Sequence, residues 1–183
     1  RRNFYTRSKE GVDYVAITNL FRDSIMRNAH PFFIADILTR AIPASAKLIL
    51  NADDLISAGV APENERVYFG IDRTAGDVSE CINLIDDVRI CPQCSGKLEY
   101  EFRRYHHIGK AKCPACGFEM PKADYIAEAD TWDMKLTVSE NGEKHSFHLV
   151  NDSVFNIYNE VGVIALLREF GLTQDQLSRS LNK

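Results

Sequence analysis

A chain of 183 residues that is 45% hydrophobic and 26% charged carries enough apolar material for one substantial core and an appendage. Its net charge of −4 and pI near 5.7 exclude a general electrostatic pull toward nucleic acid or an anionic membrane. No run approaches the roughly eighteen apolar residues of a membrane span, and the opening Arg1-Arg2-Asn3-Phe4-Tyr5 lacks the apolar stretch of a secretory signal, so a soluble, cytoplasmic protein without a membrane span is expected.

In chain order, Tyr14 to Thr18 is a short run of β-branched and aromatic residues with a polar end, and Lys47 to Asn51 repeats that pattern. Both predict buried strands. Between them Phe32, Phe33, Ile37, Leu38 and Ala41 fall at helical spacing, Pro31 suits the first helical position and Pro43 closes the segment. The result is a β-α-β unit with parallel strands and a right-handed crossover. Val67-Tyr68-Phe69 supplies a third strand.

Past Ile90 the texture changes. Cys91-Pro92-Gln93-Cys94 and Cys113-Pro114-Ala115-Cys116 are separated by eighteen residues, a spacing typical of two-knuckle zinc sites. Each pair offers two thiolates from one tight turn, and four thiolates close a tetrahedron that leaves no position for water, so a structural Zn2+ bound by Cys91, Cys94, Cys113 and Cys116 is expected. A redox CxxC or a chance pairing is the bland alternative. Leu98, Tyr100 and Phe102 alternate, and Gly109 lies near a return, which suits a hairpin joining the knuckles. Cys81, outside the pattern, reads as a buried small hydrophobe, and His106 and His107 read as hairpin surface. Positions 90–123 therefore form an inserted ribbon, with 1–89 and 124–183 as the surrounding domain.

After the ribbon, the segments around Met134 to Val138 and His145 to Leu149 alternate about Asn141-Gly142, a hairpin signal that adds an antiparallel meander. Val154, Ile157, Tyr158, Val161, Ile164 and Ala165 then follow helical spacing, with Asn151, Asp152 or Ser153 as cap and Gly171 as stop. Thr173 and Gln176 form a capping box for a last short helix. The expected fold class is α/β, a mainly parallel sheet with flanking helices and an antiparallel meander, carrying an inserted four-cysteine zinc ribbon.

The segment Tyr14-Val15-Ala16-Ile17-Thr18-Asn19-Leu20-Phe21-Arg22-Asp23, with Leu50 to Asp54 and Phe155-Asn156-Ile157-Tyr158-Asn159, resembles the middle, ATP-binding domain of the Mur ligase family. The cysteine-rich insert narrows the resemblance to the branch that carries a zinc ribbon inside that domain. The resemblance implies an ATP- and Mg2+-dependent ligase that phosphorylates a carboxylate and lets an amine displace the phosphate. In this branch the carboxylate is the stem-peptide glutamate of lipid II, a lipid-linked peptidoglycan precursor, and a glutaminase subunit supplies ammonia. It further implies that Asn156 and Asn159, at i, i+3 on one helix face, contact the nucleotide, and that Asn19 and Asp23 lie near phosphates and metal at a strand's carboxyl end. On their own residues, the helix asparagines also suit a solvated or capping role, and Asn19 and Asp23 a strand end. Ser24 follows Asp23 where other members carry histidine or glutamine, a departure that bears on metal coordination there. Asp53 and Asp54 match a further segment but read as a helix cap.

No Gly-x-x-x-x-Gly-Lys-Ser/Thr loop occurs in the chain. With the family's upstream acidic motif and C-terminal substrate domain also unmatched, the chain looks like a piece of a longer ligase, expected to be inactive alone. The competing reading is a zinc-ribbon binding module. In it, Arg103, Arg104, Lys110 and Lys112 with Tyr100 and Tyr105 meet nucleic acid, or the ribbon docks a protein partner. The acidic balance of the rest favours the ligase, with no nucleic acid partner.

Overall fold

The computed structural model describes residues 11–21, 29–80, 86 and 88–181. Asp23, Ser24 and Cys81 lie outside the described residues. The elements are β1 (Tyr14–Ile17), α1 (Pro31–Ala41), β2 (Lys47–Asn51), α2 (Leu55–Ala58), β3 (Arg66–Ile71), β4 (Glu99–Tyr105), β5 (Ile108–Lys112), β6 (Tyr125–Asp130), β7 (Lys135–Glu140), β8 (Glu143–His148), α3 (Val154–Glu169) and α4 (Gln174–Leu181). Among the described residues, six strands make one sheet in the order β1-β2-β3-β6-β7-β8, and β4 and β5 pair separately. β1, β2, β3 and β6 are parallel neighbours; β6, β7 and β8 are antiparallel.

The continuous apolar run of β2 is explained by burial on both faces. Ile49 packs into the core beneath α3 with Phe69, Tyr158 and Val161. Its neighbours Leu48 and Leu50 point the other way, toward Ala35, Leu38 and Ile42. α1 begins as its sequence dictates, with Pro31 in the first turn and the Phe32 amide donating to His30 Nδ1 at 3.3 Å. Its apolar stripe is only partly covered, since Phe33 remains 59% exposed. A cavity of about 410 Å³ lies between α1, α2, β3 and the cysteine-rich segment, lined by residues including Phe32, Tyr68, Phe118 and Met120.

The meander turns at Asn141 (φ 51°) and Gly142 (φ 85°), the pair of positive φ values that a two-residue hairpin loop needs. Sequence patterning did not reveal β6. Its alanines and acids are weak strand formers, and pairing with β3 on one side and β7 on the other recruits it, with Tyr125 and Ala127 inward. α3 buries Ile157, Tyr158, Val161, Ile164 and Ala165. Ser153 is its cap residue but makes no side-chain cap bond; Asn151 Oδ1 instead accepts from the Ser153 amide at 2.8 Å. The expected capping box closes α4: the Thr173 amide donates to Gln176 Oε1 at 2.8 Å, and the Gln176 amide to Thr173 Oγ1 at 3.3 Å. No described helix is long and apolar enough to cross a membrane.

β4 and β5 pair as a hairpin whose register shifts between Tyr100 and Phe102 and again between Arg103 and Tyr105. Such irregularities re-aim side chains, and Phe102, Arg103 and Tyr105 are all buried. At the return, a Cβ on Gly109 would lie 2.1 Å from the Phe102 carbonyl oxygen and 2.9 Å from Arg103 Cα. Because backbone cannot yield there, Gly109→Ala is expected to cost at least about 2 kcal/mol. Equilibrium denaturation checks this, and unchanged stability would contradict the close approach.

Candidate metal centre and strand-end site

Each cysteine pair sits on a tight turn shaped by local bonds. The Ser95 amide donates to the Cys91 carbonyl and the Gly117 amide to the Cys113 carbonyl, both at 2.9 Å. Ser95 (φ 61°) and Gly117 (φ 76°) turn the chain back through the left-handed region. Amides of Gln93 and Gly96 point at Cys91 Sγ (3.4 Å) and Cys94 Sγ (3.3 Å). The four sulfurs lie within 4.8 Å of one another, with Cys91 and Cys116 at 3.7 Å and Cys94 and Cys113 at 3.5 Å. A tetrahedron with metal–sulfur bonds of about 2.3 Å has edges of about 3.8 Å, whereas a disulfide needs about 2.05 Å. The cysteines are free, and this donor set can hold one metal ion.

The second cluster lies where the parallel strands end. Asn51 ends β2, Asp53 and Asp54 follow it, and all three are buried, as polar groups seldom are without partners. Asn51 Nδ2 donates to the Thr18 carbonyl at 2.8 Å, tying the end of β2 to β1. Asp54 caps α2 by accepting from the Ile56 amide at 3.0 Å, and also accepts from the Leu20 amide at 2.6 Å and from the Ser57 hydroxyl. Asp53 Oδ2 accepts from the Ile71 amide at 3.0 Å and from the Tyr158 hydroxyl at 2.8 Å, joining β2, β3 and α3.

The hairpin completes this cluster, which corrects the reading of His107 as hairpin surface. Arg104 donates to both oxygens of Asp77 (2.7 and 2.8 Å) and to the Tyr158 hydroxyl, and lies 3.4 Å from Asp53 Oδ2. Burial opposes its charge, but the Asp77 hydrogen bond and the fields of nearby groups hold the guanidinium protonated. For Asp77, too, burial is outweighed by Arg104, and its carboxyl stays below the ordinary value. Burial, with the charge of Asp53, pushes the Tyr158 phenol well up, so it remains a donor. His107, expected on the surface, is 1% exposed and its Nε2 donates to Asp54 Oδ1 at 2.9 Å. Arg103 pairs with Asp86 at 2.8 Å and stacks over Tyr100 at 3.7 Å. Of the cationic side chains offered for nucleic acid, Arg103 and Arg104 are thus spent inside the protein.

Among the other expected site residues, Asn19 is half-buried at the end of β1, where its Oδ1 accepts from the Tyr105 hydroxyl. Asn156 and Asn159 are exposed in the first half of α3. Tyr105 links the two places: its ring centroid lies 4.3 Å from that of Phe155, beside Asn156. The cysteines are brought together as expected. Asp53, Asp54, Arg104 and His107 were missed as a cluster, although three polar residues at and just past the end of a buried parallel strand are a signal in themselves.

No family model matches the chain. It is 30% identical over 167 residues to the lipid II isoglutaminyl synthase (glutamine-hydrolyzing) subunit MurT of Staphylococcus aureus, covering 89% of this chain and 37% of that protein. It is 25% identical over 173 residues to the MurT of Streptococcus pneumoniae, covering 91% and 38%. The structure of a pseudomurein peptide ligase type C from Methanothermus fervidus superposes with a TM-score of 0.74 at 28% identity, covering 94% of this chain and 34% of that one. The chain is Mur ligase-like. Its named sequence relatives are MurT subunits, and it spans just over a third of their length (37%).

Proposed function

We propose that this chain is part of an ATP-dependent amide-forming ligase of peptidoglycan synthesis, working in the cytoplasm with a glutaminase subunit on the stem-peptide glutamate of lipid II through an acyl phosphate. The observation that carries the reading is the meeting of a polar strand-end edge with the asparagine-bearing half of α3 in a MurT-like chain. Ligands of open α/β sheets gather at that edge. ATP and Mg2+, when bound, supply the activated phosphoryl group and neutralise its charge. This chain's part is to hold the nucleotide: Asn156 and Asn159 present amides to the base, and Asn19 and Asp23 serve the phosphates and metal. Positions 90–123 are an insert whose four cysteines hold a structural Zn2+, since tetrahedral all-thiolate sites suit zinc.

Without a phosphate loop in this sequence, the chain alone is expected to bind nucleotide weakly and to hydrolyse none. Adenosine titrated into the isotopically labelled chain should shift Asn156 and Asn159 side-chain resonances. Asn156→Ala and Asn159→Ala should each weaken binding by about tenfold without changing the melting temperature. Unaltered affinity in both variants would refute the assignment.

A further inference from the structure

We propose that the ribbon completes the strand-end site, with Tyr105 as the positioning residue that orients the Asn19 amide toward a nucleoside diphosphate. The inference rests on the nucleotide reading above and adds a residue to it. Tyr105 ends β4 and is 7% exposed. Phe21 (5.4 Å), Phe155 (4.3 Å) and Tyr158 (6.4 Å) surround its ring. Packing on several sides fixes where the hydroxyl points, and it points at Asn19 Oδ1. Burial, with the charge of Asp54, holds this phenol far above its ordinary titration range, so the hydroxyl donates at any physiological pH.

The other end of the Asn19 amide is also engaged, since Nδ2 donates to Thr18 Oγ1 at 3.3 Å. An asparagine side chain offers two lone pairs and two N–H groups. Tyr105 and Thr18 take one of each and fix which way the amide faces. Among the described residues, one N–H remains for a phosphate oxygen and one lone pair for a donor or a hydrated cation. The backbone behind Tyr105 is anchored as well: His107 is bonded to Asp54, and the Gly109 amide donates to the Asp53 carbonyl at 2.7 Å. The hairpin is thereby tied to the same strand end whose neighbour carries Asn19.

Tyr105→Phe removes the hydroxyl and keeps the ring. Affinities of the zinc-loaded chain for adenosine and for magnesium ADP, measured by titration, separate the base end of the site from the phosphate end. The variant is expected to bind adenosine within about twofold of the wild type and magnesium ADP roughly three- to tenfold more weakly, with displaced Asn19 side-chain amide resonances. Wild-type affinity for both ligands overturns the role of Tyr105 and leaves the nucleotide reading standing. An equal loss for both ligands with a lowered melting temperature makes Tyr105 a packing residue and overturns the proposal as well. A wild-type chain that binds neither ligand overturns the nucleotide reading, and this inference falls with it.

Discussion

Asp53→Ala is expected to destabilise the protein by about 3–5 kcal/mol, because it strands buried partners and not merely one bond. Arg104 would lose one of its two carboxylates, and the Tyr158 hydroxyl and the Ile71 amide would lose their acceptor. Each sits in surroundings from which water is largely excluded, so the desolvation already incurred on folding is no longer offset. In a chain of this length the corresponding fall in melting temperature is on the order of 10 °C. Asp53→Asn, which keeps an acceptor and the shape but not the charge, should cost less. A double-mutant cycle with Tyr158→Phe should show strong coupling, because the two side chains share a bond. Thermal melts of the variants test this, and a shift of under a degree or two for Asp53→Ala would mean that the cluster is not closed as described.

Stripping the metal proposed for the four cysteines is expected to have the larger effect. The ribbon has one two-stranded sheet and a small cluster of its own, built largely from Val88, Leu98, Ala111, Met120 and two of the cysteines with Leu55 and Ile56 of α2. So little apolar burial does not hold so short a segment in shape. Metal binding contributes on the order of 10 kcal/mol at neutral pH to structural zinc sites. Chelation or Cys113→Ser should therefore loosen the hairpin, and with it the placing of Arg104, Tyr105 and His107 over the strand ends. The six-stranded sheet should survive with a lowered melting temperature. The sign with pH is fixed by chemistry: only thiolates bind, so affinity falls as pH falls. Circular dichroism and thiol reactivity before and after chelation read both changes; an unchanged melt and unreactive thiols would contradict them.

Local pattern made much of this legible. The two apolar runs, the Pro31 helix start, the Asn141-Gly142 turn and the Thr173 and Gln176 capping box are all encoded within a few residues of where they act. The doubled cysteine motif is likewise local at each knuckle and needs only one return of the chain. What escaped depends on distance in sequence. β6 is a strand because two neighbours pair with it, not because Tyr-Ile-Ala-Glu-Ala-Asp prefers that form. His107 meets Asp54 across 53 positions and Tyr158 meets Asp53 across 105. A histidine and two arginines on a hairpin look solvated until the irregular register turns them inward. Hence Asp53 and Asp54 read as a cap, which Asp54 is, while the acceptor role of Asp53 stayed hidden.

A backbone bond crosses the joint between ribbon and sheet beside the side-chain bonds of Arg104, Tyr105 and His107, from the Gly109 amide to the Asp53 carbonyl. Hydrogen exchange at that single amide, followed in the zinc-loaded chain and again after chelation, reports directly whether the metal holds the hairpin on the strand ends. Slow exchange that becomes fast once the metal is removed is the predicted result. Protection that is the same with and without metal, or absent from the start, would contradict it.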